Sequence, residues 1–279
     1  MVELEKKYQV GVRRFGLDNW VGAYSLYKKE VLRFLIVSGQ TLLGPILTSI
    51  LFLVVISLAI GDERPDVLGV PYIEFLANGL IMMQVIQQSF SHSSSSLMMS
   101  KMMGTIVDIV NSPLSALEVT ISLVLASITR GLFIASISTF IFVLFLDLSI
   151  ENYFLWFLYL FLAGFFLGSA GMIAGLYADK FDQMATVTNF VIVPLSFLSG
   201  TFYSIERLPD ILQSLSSYNP FFHMIDGFRY SFIGQSDGSI KFGIVFLFTI
   251  SFITFYISYL LYKRGYKLKH NNECFSKKL

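Results

Sequence analysis

The chain has 279 residues, of which 54% are hydrophobic and 14% are charged, and its mean hydropathy is +0.67. An ordinary soluble domain carries about 25% charged residues, so this chain has too few charges to cover the surface of a soluble fold. A formal net charge of +1 excludes the strong basic field that nucleic-acid binding requires. The single cysteine, Cys274, excludes an internal disulfide, and no Cys/His cluster indicates a metal site. The composition therefore predicts an integral membrane protein.

The residues from about 18 to 33 predict an amphipathic helix lying in the inner membrane interface. Trp20, Tyr24 and Tyr27 recur there at helical spacing, and Lys28 and Lys29 lie beside them. Aromatic rings favour the headgroup region, whereas lysine side chains favour the aqueous side. The alternative is that this segment extends the first membrane span.

Six stretches are long and apolar enough to cross a bilayer, since a spanning helix needs roughly 20 mostly apolar residues. These stretches are residues 34–60, 72–90, 119–146, 153–177, 184–203 and 242–262. The second contains Glu74 and the third contains Arg130, whereas the other four contain no Asp, Glu, Lys or Arg. The sequence therefore predicts an all-α integral membrane protein with a single transmembrane domain over residues 1–279.

The distribution of charge predicts the orientation of these spans. Lysine and arginine collect before residue 34 and after residue 262, whereas acidic residues dominate segments 61–71, 147–152 and 204–241. Positive residues are retained on the cytoplasmic side, and six spans place both termini on the same side. We expect a multi-pass membrane protein with both termini in the cytoplasm.

Two connecting segments are longer than simple loops require. The inside loop, from about 91 to 117, begins with a polar serine-rich run and continues into an apolar turn that Pro113 stops. The outside segment, 204–241, has one apolar helical face, then Asn219-Pro220 and an aromatic pair. It is too short to cross the membrane and predicts an external re-entrant hairpin before the last span. The apolar face consists of Leu208, Ile211, Leu212 and Leu215.

No catalytic set is visible, and the chain lacks the Gly-Lys dipeptide of a phosphate-binding P-loop. It is therefore expected to bind no cofactor and not to hydrolyse ATP by itself. A carrier coupled to an ion gradient usually places ionisable groups near the bilayer midplane, and only Arg130 is a candidate. Arg130 lies about 24 Å inward of Leu146 along the helix. It is expected to anchor its helix at the inner boundary by reaching lipid phosphates; the alternative is a role in the transport path or in contacting a cytosolic partner.

The fourth predicted span carries a stripe of small residues on one face. Gly164, Gly168, Gly171 and Gly175 are spaced four, three and four residues apart. Such a stripe allows a neighbouring backbone to approach closely. It predicts either static helix packing or a sliding contact in a moving bundle.

The layout of interfacial helix, six spans, inside loop helix and outer hairpin resembles the ABC-2 type permeases, the membrane subunits of bacterial ATP-driven exporters. The residues that carry this resemblance are Gly79–Met83, Ser112–Leu114, Thr129–Phe133, Ala178–Asp182 and, above all, the stretch from Leu198 to Gly234.

The resemblance implies that two such subunits, expected as a homodimer among membrane lipids, form the pathway and that a cytosolic ABC ATPase subunit binds ATP and Mg. The inside loop would then contain a coupling helix that docks into the ATPase, with Thr105, Ile106, Val107, Asp108, Ile109, Val110, Asn111 and Pro113. The outer hairpin would form an external gate, with Phe202, Tyr203, Asn219, Pro220, Phe221 and Phe222. The gate has an alternative, which is an inert cap packed on the helices.

The function that the resemblance implies is export of an amphipathic or lipid-linked substrate across the bacterial inner (cytoplasmic) membrane by an ATP-driven transporter. An ion-gradient-driven secondary carrier is the alternative, and a membrane scaffold without transport is a weaker one.

Overall fold

The computed structural model describes residues 19–60, 65–146 and 148–265. Across these ranges the chain is helical and contains no named β-strand, which confirms the all-α prediction. Cys274, the cations of the C-terminal tail beyond Gly265 and Asp18, the predicted first residue of the interfacial helix, lie outside the described residues. The orientation argument that rests on the termini therefore stays a prediction.

The described helices are numbered here in chain order, and two π-helical turns join helices that follow each other closely. The π-helical turns are Gly39–Leu43, before α2, and Thr188–Ile192, between α7 and α8. The helices are α1 (Trp20–Ile36), α2 (Gly44–Ile60), α3 (Tyr72–Met102), α4 (Ile106–Asn111), α5 (Ala116–Phe145), α6 (Tyr153–Tyr177), α7 (Phe181–Val187), α8 (Val193–Leu198), α9 (Asp210–Ser217), α10 (Pro220–Ile233) and α11 (Ile240–Lys263).

Five helical stretches are long and apolar enough to cross a membrane. They coincide with five of the six predicted spans and cover Gly39–Ala59, Ala116–Phe145, Tyr153–Tyr177, Phe181–Leu198 and Ile240–Lys263. The remaining predicted span, 72–90, forms the first part of α3, which these criteria do not select. The glutamine, histidine and serine residues of α3 reduce the mean hydropathy of this helix.

Helix α3 corrects the predicted start of the inside loop. The serine-rich run that begins at Ser91 continues the helix to Met102, so the loop starts about a dozen residues later than predicted. Serine hydroxyls can form hydrogen bonds with backbone carbonyls of the same helix, as Ser94 does by donating to the Phe90 carbonyl at 2.8 Å. Polar residues of this kind are compatible with a helix when their hydroxyls bond the preceding turn or a neighbouring helix.

Helices α3, α5 and α6 form the centre of the molecule, and the glycine stripe of α6 faces the other two. A Cβ on Gly164 would lie 2.9 Å from Ile128 Cα in α5, and one on Gly175 would lie 2.8 Å from the Ser94 carbonyl oxygen in α3. A Cβ on Gly168 would lie 2.9 Å from Ser127 Cβ, and one on Gly171 would collide with the Phe90 carbonyl. The missing side chains therefore set the close approach of these backbones.

Local signals fix the ends of two central helices. Ser115 and Glu118 form a capping box at the start of α5, which satisfies amide groups that lack helical partners. Lys101, at the end of α3, donates from Nζ to the carbonyls of Leu176 at 2.9 Å and Ala178 at 2.6 Å. These bonds join the C-terminal ends of α3 and α6. A cation at a helix C-terminus also interacts favourably with the helix dipole.

Helix α1 is separated from the first candidate span at Val37, its C-terminal cap. Its buried stripe consists of Ala23, Leu26, Glu30 and Phe34, whereas the predicted aromatic residues Trp20 and Tyr24 are exposed. The structure therefore differs from the alternative in which this segment simply extends the first span.

Candidate functional site

The predicted coupling segment forms helix α4, and its two faces have different environments. Ile106 and Ile109 are buried in a cluster with Leu26 of α1 and Leu97 of α3. Val107 and Val110 have 53% and 52% of their surface exposed. The isoleucines therefore hold α4 on its own chain, and the valine face is the one left open to a partner.

The remaining predicted coupling residues surround this helix. Thr105 precedes it without a side-chain cap, Asp108 and Asn111 are exposed, and the Pro113 carbonyl accepts from Asn19 Nδ2 at 3.1 Å. A surface groove of about 490 Å³ lies between α1 and α4. Its lining includes Val21, Lys29, Asp108 and Pro113. The end of α1 and the coupling segment thus form one continuous surface.

Arg130 lies inside the protein, with 6% of its surface exposed. Its Nη2 contacts Gln88 Oε1 of α3 and donates to the Thr41 carbonyl at 3.4 Å. A snorkelling anchor needs a cation that extends along the helix surface into the headgroups. The observed environment differs from that expectation, because Arg130 joins α5 to α3 and to the start of the first span.

Asn219 and Pro220 form the turn between the two helices of the outer segment. Pro220 is the first residue of α10, and Asn219 Oδ1 caps the helix by accepting from the Phe221 amide at 3.0 Å. Asn219 Nδ2 donates to Ser199 Oγ at 2.9 Å, at the end of α8. Asn219-Pro220 therefore ends α9, starts α10 and ties the turn to the end of α8, in the fourth candidate span.

Helix α10 is almost wholly buried and carries two ionisable groups that the sequence analysis did not single out. The carboxylate of Asp226 accepts from the amides of Asp237 at 2.8 Å and Gly238 at 3.0 Å. Asp237 in turn accepts from Ser204 Oγ at 2.6 Å. Burial raises the pKa of Asp226 to about 6, because desolvation disfavours the charged carboxylate more than these amides favour it.

The second of these groups is Arg229, which is completely buried. Its Nη2 donates to the Gly200 carbonyl at 2.7 Å, and burial lowers its pKa to about 10. The available sequence signal was the stretch from Leu198 to Gly234, which carried the family resemblance without assigning a role to Asp226 or Arg229. Two hydrogen bonds thus join α10 to the segment that follows α8: one from its N-cap residue Asn219 to Ser199, and one from Arg229 to Gly200.

The four aromatic rings predicted at the outer mouth do not meet. Phe221 and Tyr203 line the same cavity, whereas Phe202 stacks on Phe197 with ring centroids 5.1 Å apart. Phe222 packs against His223, with ring centroids 5.1 Å apart. The four aromatic residues of the predicted external gate therefore divide into two rings on a shared cavity and two rings elsewhere.

The cavity shared by Phe221 and Tyr203 has a volume of about 830 Å³ and opens to the outside of the chain. Aliphatic and aromatic side chains dominate its walls, including those of Ala170 in α6, Leu195 in α8 and Leu212 in α9. Asn219 and Ser216 supply polar groups at its hairpin end. The cavity can therefore accommodate a largely apolar group beside a few hydrogen-bonding positions.

Among the described residues, no group of three or more His, Cys, Asp or Glu side chains could hold a metal ion. The buried charges of α10 and of α1 instead pair with protein groups.

The profile of the ABC-2 type transporter family matches residues 23–233. The chain belongs to the ABC-2 type transporter family. The matched residues of this ABC-2 protein include the coupling segment, the glycine stripe and helices α9 and α10 of the outer hairpin. The family assigns it as the membrane transport permease of an ABC transporter.

Two groups of relatives resemble this ABC-2 protein. It is 33% identical over 252 residues to the inner membrane transport permease YadH of Escherichia coli strain K12, a match that covers 90% of this chain and 98% of that protein. It is 23% identical over 265 residues to nodulation protein J of Neorhizobium galegae, covering 89% and 94% of the two chains. Nodulation protein J of Sinorhizobium fredii is 30% identical over 103 residues, covering 37% and 39%. With its several apolar helices, the chain is a multi-pass inner-membrane protein.

Proposed function

We propose that this chain is the export permease of an ATP-driven transporter, in which a separate cytosolic ATPase binds ATP and Mg and hydrolyses the nucleotide. Two copies of the chain would form the pathway. The observation that carries the proposal is helix α4, whose isoleucine face is fixed to α1 and α3 while its valine face is open. Such a half-exposed helix suits the transmission of movement from a partner to the bundle.

A six-span topology supports the proposed arrangement, with α3 as the remaining span. The 31 residues of α3 extend about 46 Å, which exceeds the roughly 30 Å hydrocarbon core. Its polar side chains bond to α1 and α5, as Ser96 does to Glu30 and Gln88 does to Arg130. Polar groups in a membrane helix are tolerated when they face the bundle interior. Both termini and α4 would then lie inside, and α9 and α10 outside.

The cavity beside the outer hairpin supports an amphipathic or lipid-linked substrate. Its volume of about 830 Å³ lies within the range of about 300–1,000 Å³ that is typical of ligand pockets. Its apolar walls suit a hydrocarbon chain, whereas Asn219 and Ser216 suit a polar group. In this proposal the hairpin closes the outer end of the pathway, and Phe221 and Tyr203 are the rings that exclude water.

An ion-gradient-driven secondary carrier is the second candidate, and buried ionisable groups favour it. Glu30 and His92 are both fully enclosed, and Glu30 Oε2 lies 3.9 Å from His92 Nε2. Carriers use such groups as proton sites. This candidate requires proton-driven flux through the chain alone.

The deciding experiment is purification of the tagged chain from membranes of its own host. The export proposal expects an ABC ATPase to copurify, and expects the reconstituted complex to move a fluorescent phospholipid, a lipid-linked glycan or an amphipathic drug only with ATP. Proton-driven flux of these probes through the chain alone, with no associated ATPase, would establish the secondary carrier instead.

A further inference from the structure

Glu30 is a carboxylate buried in the middle of α1. Its exposed fraction is 1%, and it occupies the same helical stripe as Ala23, Leu26 and Phe34. A charged group in such a position is retained only when partners compensate for the loss of water. The partners of Glu30 therefore indicate what the charge is for.

Those partners connect α1 to α3. Ser96 Oγ of α3 donates to Glu30 Oε2 at 2.7 Å, and Arg33 Nε, one turn along α1, lies 3.1 Å from the same oxygen. Arg33 Nη2 also donates to the His92 carbonyl at 3.3 Å. Glu30 and Arg33 thus bind α3 at two levels about one turn apart.

Polar residues of α3 contact α5 as well as α1. Gln88, one turn before His92, contacts Arg130 of α5, and Arg130 donates to the Thr41 carbonyl at the start of the first candidate span. Phe34 packs its ring edge against His92 with centroids 5.7 Å apart. The buried polar groups therefore link α1, α3 and α5 in one cluster.

The other end of α1 is attached to the coupling segment. Asn19 Nδ2 donates to the Pro113 carbonyl at 3.1 Å, and the backbone N–H of Asn19 donates to Glu118 Oε1, at the start of α5, at 2.6 Å. Leu26, one turn before Glu30, packs with Ile106 and Ile109 of α4. These contacts connect α4 to α1, and Glu30 is the fully buried charged residue through which α1 contacts α3.

We infer that Glu30 is a positioning residue of the transport cycle: its buried hydrogen bond from Ser96, together with the ion pair that holds Arg33 toward the His92 carbonyl, carries displacement of the coupling segment through α1 into α3. This inference rests on the proposed function, because it requires an ATPase that moves α4. An apolar contact would let α1 slide on α3, whereas a buried charge-assisted bond holds one register.

The test uses the copurified complex in liposomes of bacterial phospholipid, with spin labels on Ser214 of α9 and Tyr153 at the start of α6 and with Cys274→Ser to remove the native thiol. The distance between the labels is measured with and without ATP and vanadate. The wild-type complex is expected to change this distance, and the control Lys28→Gln, an exposed charge on the same helix, is expected to do the same. Glu30→Gln is expected to retain ATP hydrolysis while the population that changes distance falls at least about fivefold, the lower end of typical coupling strengths.

A gentler variant covers the case in which Glu30→Gln does not reach the membrane. Ser96→Ala removes one donor and leaves the charge, and Ser95→Ala is its matched control, because Ser95 Oγ bonds only to the His92 carbonyl of its own helix. A reduced distance change in Ser96→Ala with normal ATPase activity supports the inference. A full ATP-dependent change in Ser96→Ala, or in Glu30→Gln, overturns it. A wild-type chain with no ATPase partner would instead overturn the proposed function.

Discussion

The guanidinium of Arg229 lies over the ring of Phe75, with its carbon 3.7 Å from the ring centroid. This contact joins α10 of the outer hairpin to the central helix α3. The same guanidinium donates to the Gly200 carbonyl after α8. One buried cation therefore holds three elements together at this end of the bundle.

Replacing Arg229 with lysine is expected to lower the free energy of unfolding by about 2 kcal/mol. Lysine keeps the charge but loses the planar group that stacks on Phe75 and reaches Gly200. Thermal unfolding in detergent measures the effect, and Arg207→Lys, at an exposed position, is the control. Equal stability of the two variants would contradict a structural role for the stacked guanidinium.

Gly171→Ala is expected to separate α6 from α3. The added Cβ would collide with the Phe90 carbonyl, and overpacking of this kind typically costs about 1–3 kcal/mol. Gly44→Ala is the matched control, because nothing lies within 4 Å of a Cβ at that position. Thermal unfolding and membrane levels are measured for both. An unchanged Gly171→Ala protein would mean that the two helices can move apart without loss.

Several features of the fold could be predicted because they depend on local composition. The fourth predicted span, 153–177, has the same bounds as α6, since an uninterrupted apolar run specifies both its helix and its ends. The inner end of α3 could not be predicted in this way. Hydropathy treats Ser93 and Ser96 as polar loop residues, but in the fold they bond to Ser127 and Glu30.

The same distinction applies to the candidate site: features set by local sequence could be predicted, whereas features set by contacts between distant residues could not. Apolar periodicity located α4, but it could not tell that Ile106 faces inward and Val107 outward, because both residues are apolar and the deciding neighbour, Leu26, is distant in sequence. Glu30 and Arg229 were missed for a related reason. A buried charge is recognisable only from its partners, and Ser96 and Gly200 are brought to them by tertiary packing.

Acidic conditions are expected to stabilise the outer hairpin through Asp226. Its folded-state pKa of about 6 lies above the usual value of about 3.9 in an unfolded chain, so the folded state binds more protons between these pH values. The contribution of Asp226 to the free energy of unfolding should therefore fall by about 2 kcal/mol as pH rises from 4 to 7, and then stay level. The positive charge of Arg229 lowers the pKa of Asp226 and the negative charge of Asp237 raises it, but burial has the largest effect.

Asp226→Asn is expected to remove this dependence, because an amide does not titrate. Melting temperatures from pH 4.5 to 7.5 measure it, with Asp210→Asn, an exposed carboxylate in α9, as the control. A wild-type protein whose stability rises with pH across this window would contradict the assignment to Asp226.

The double change Val107→Asp and Val110→Asp is expected to abolish copurification of the ATPase while leaving the chain folded. Both side chains are exposed, and burying each in a partner would contribute roughly 1.5–3 kcal/mol. Ile106→Asp should instead unfold the inner end, because it buries an unpaired charge. Normal ATPase association of the double variant would show that α4 is not the docking element.

Phe221→Ala is expected to open the outer end of the pathway. Phe221 and Phe222 are equally buried, and loss of either ring should reduce stability by about 3–5 kcal/mol, but only Phe221 lines the cavity. A gate at this position works by excluding water. We therefore expect faster release of trapped carboxyfluorescein, without ATP, from proteoliposomes that contain the complete transporter with Phe221→Ala. Phe222→Ala is the matched control for lost packing, so equal release from the two variants would leave the hairpin as an inert cap.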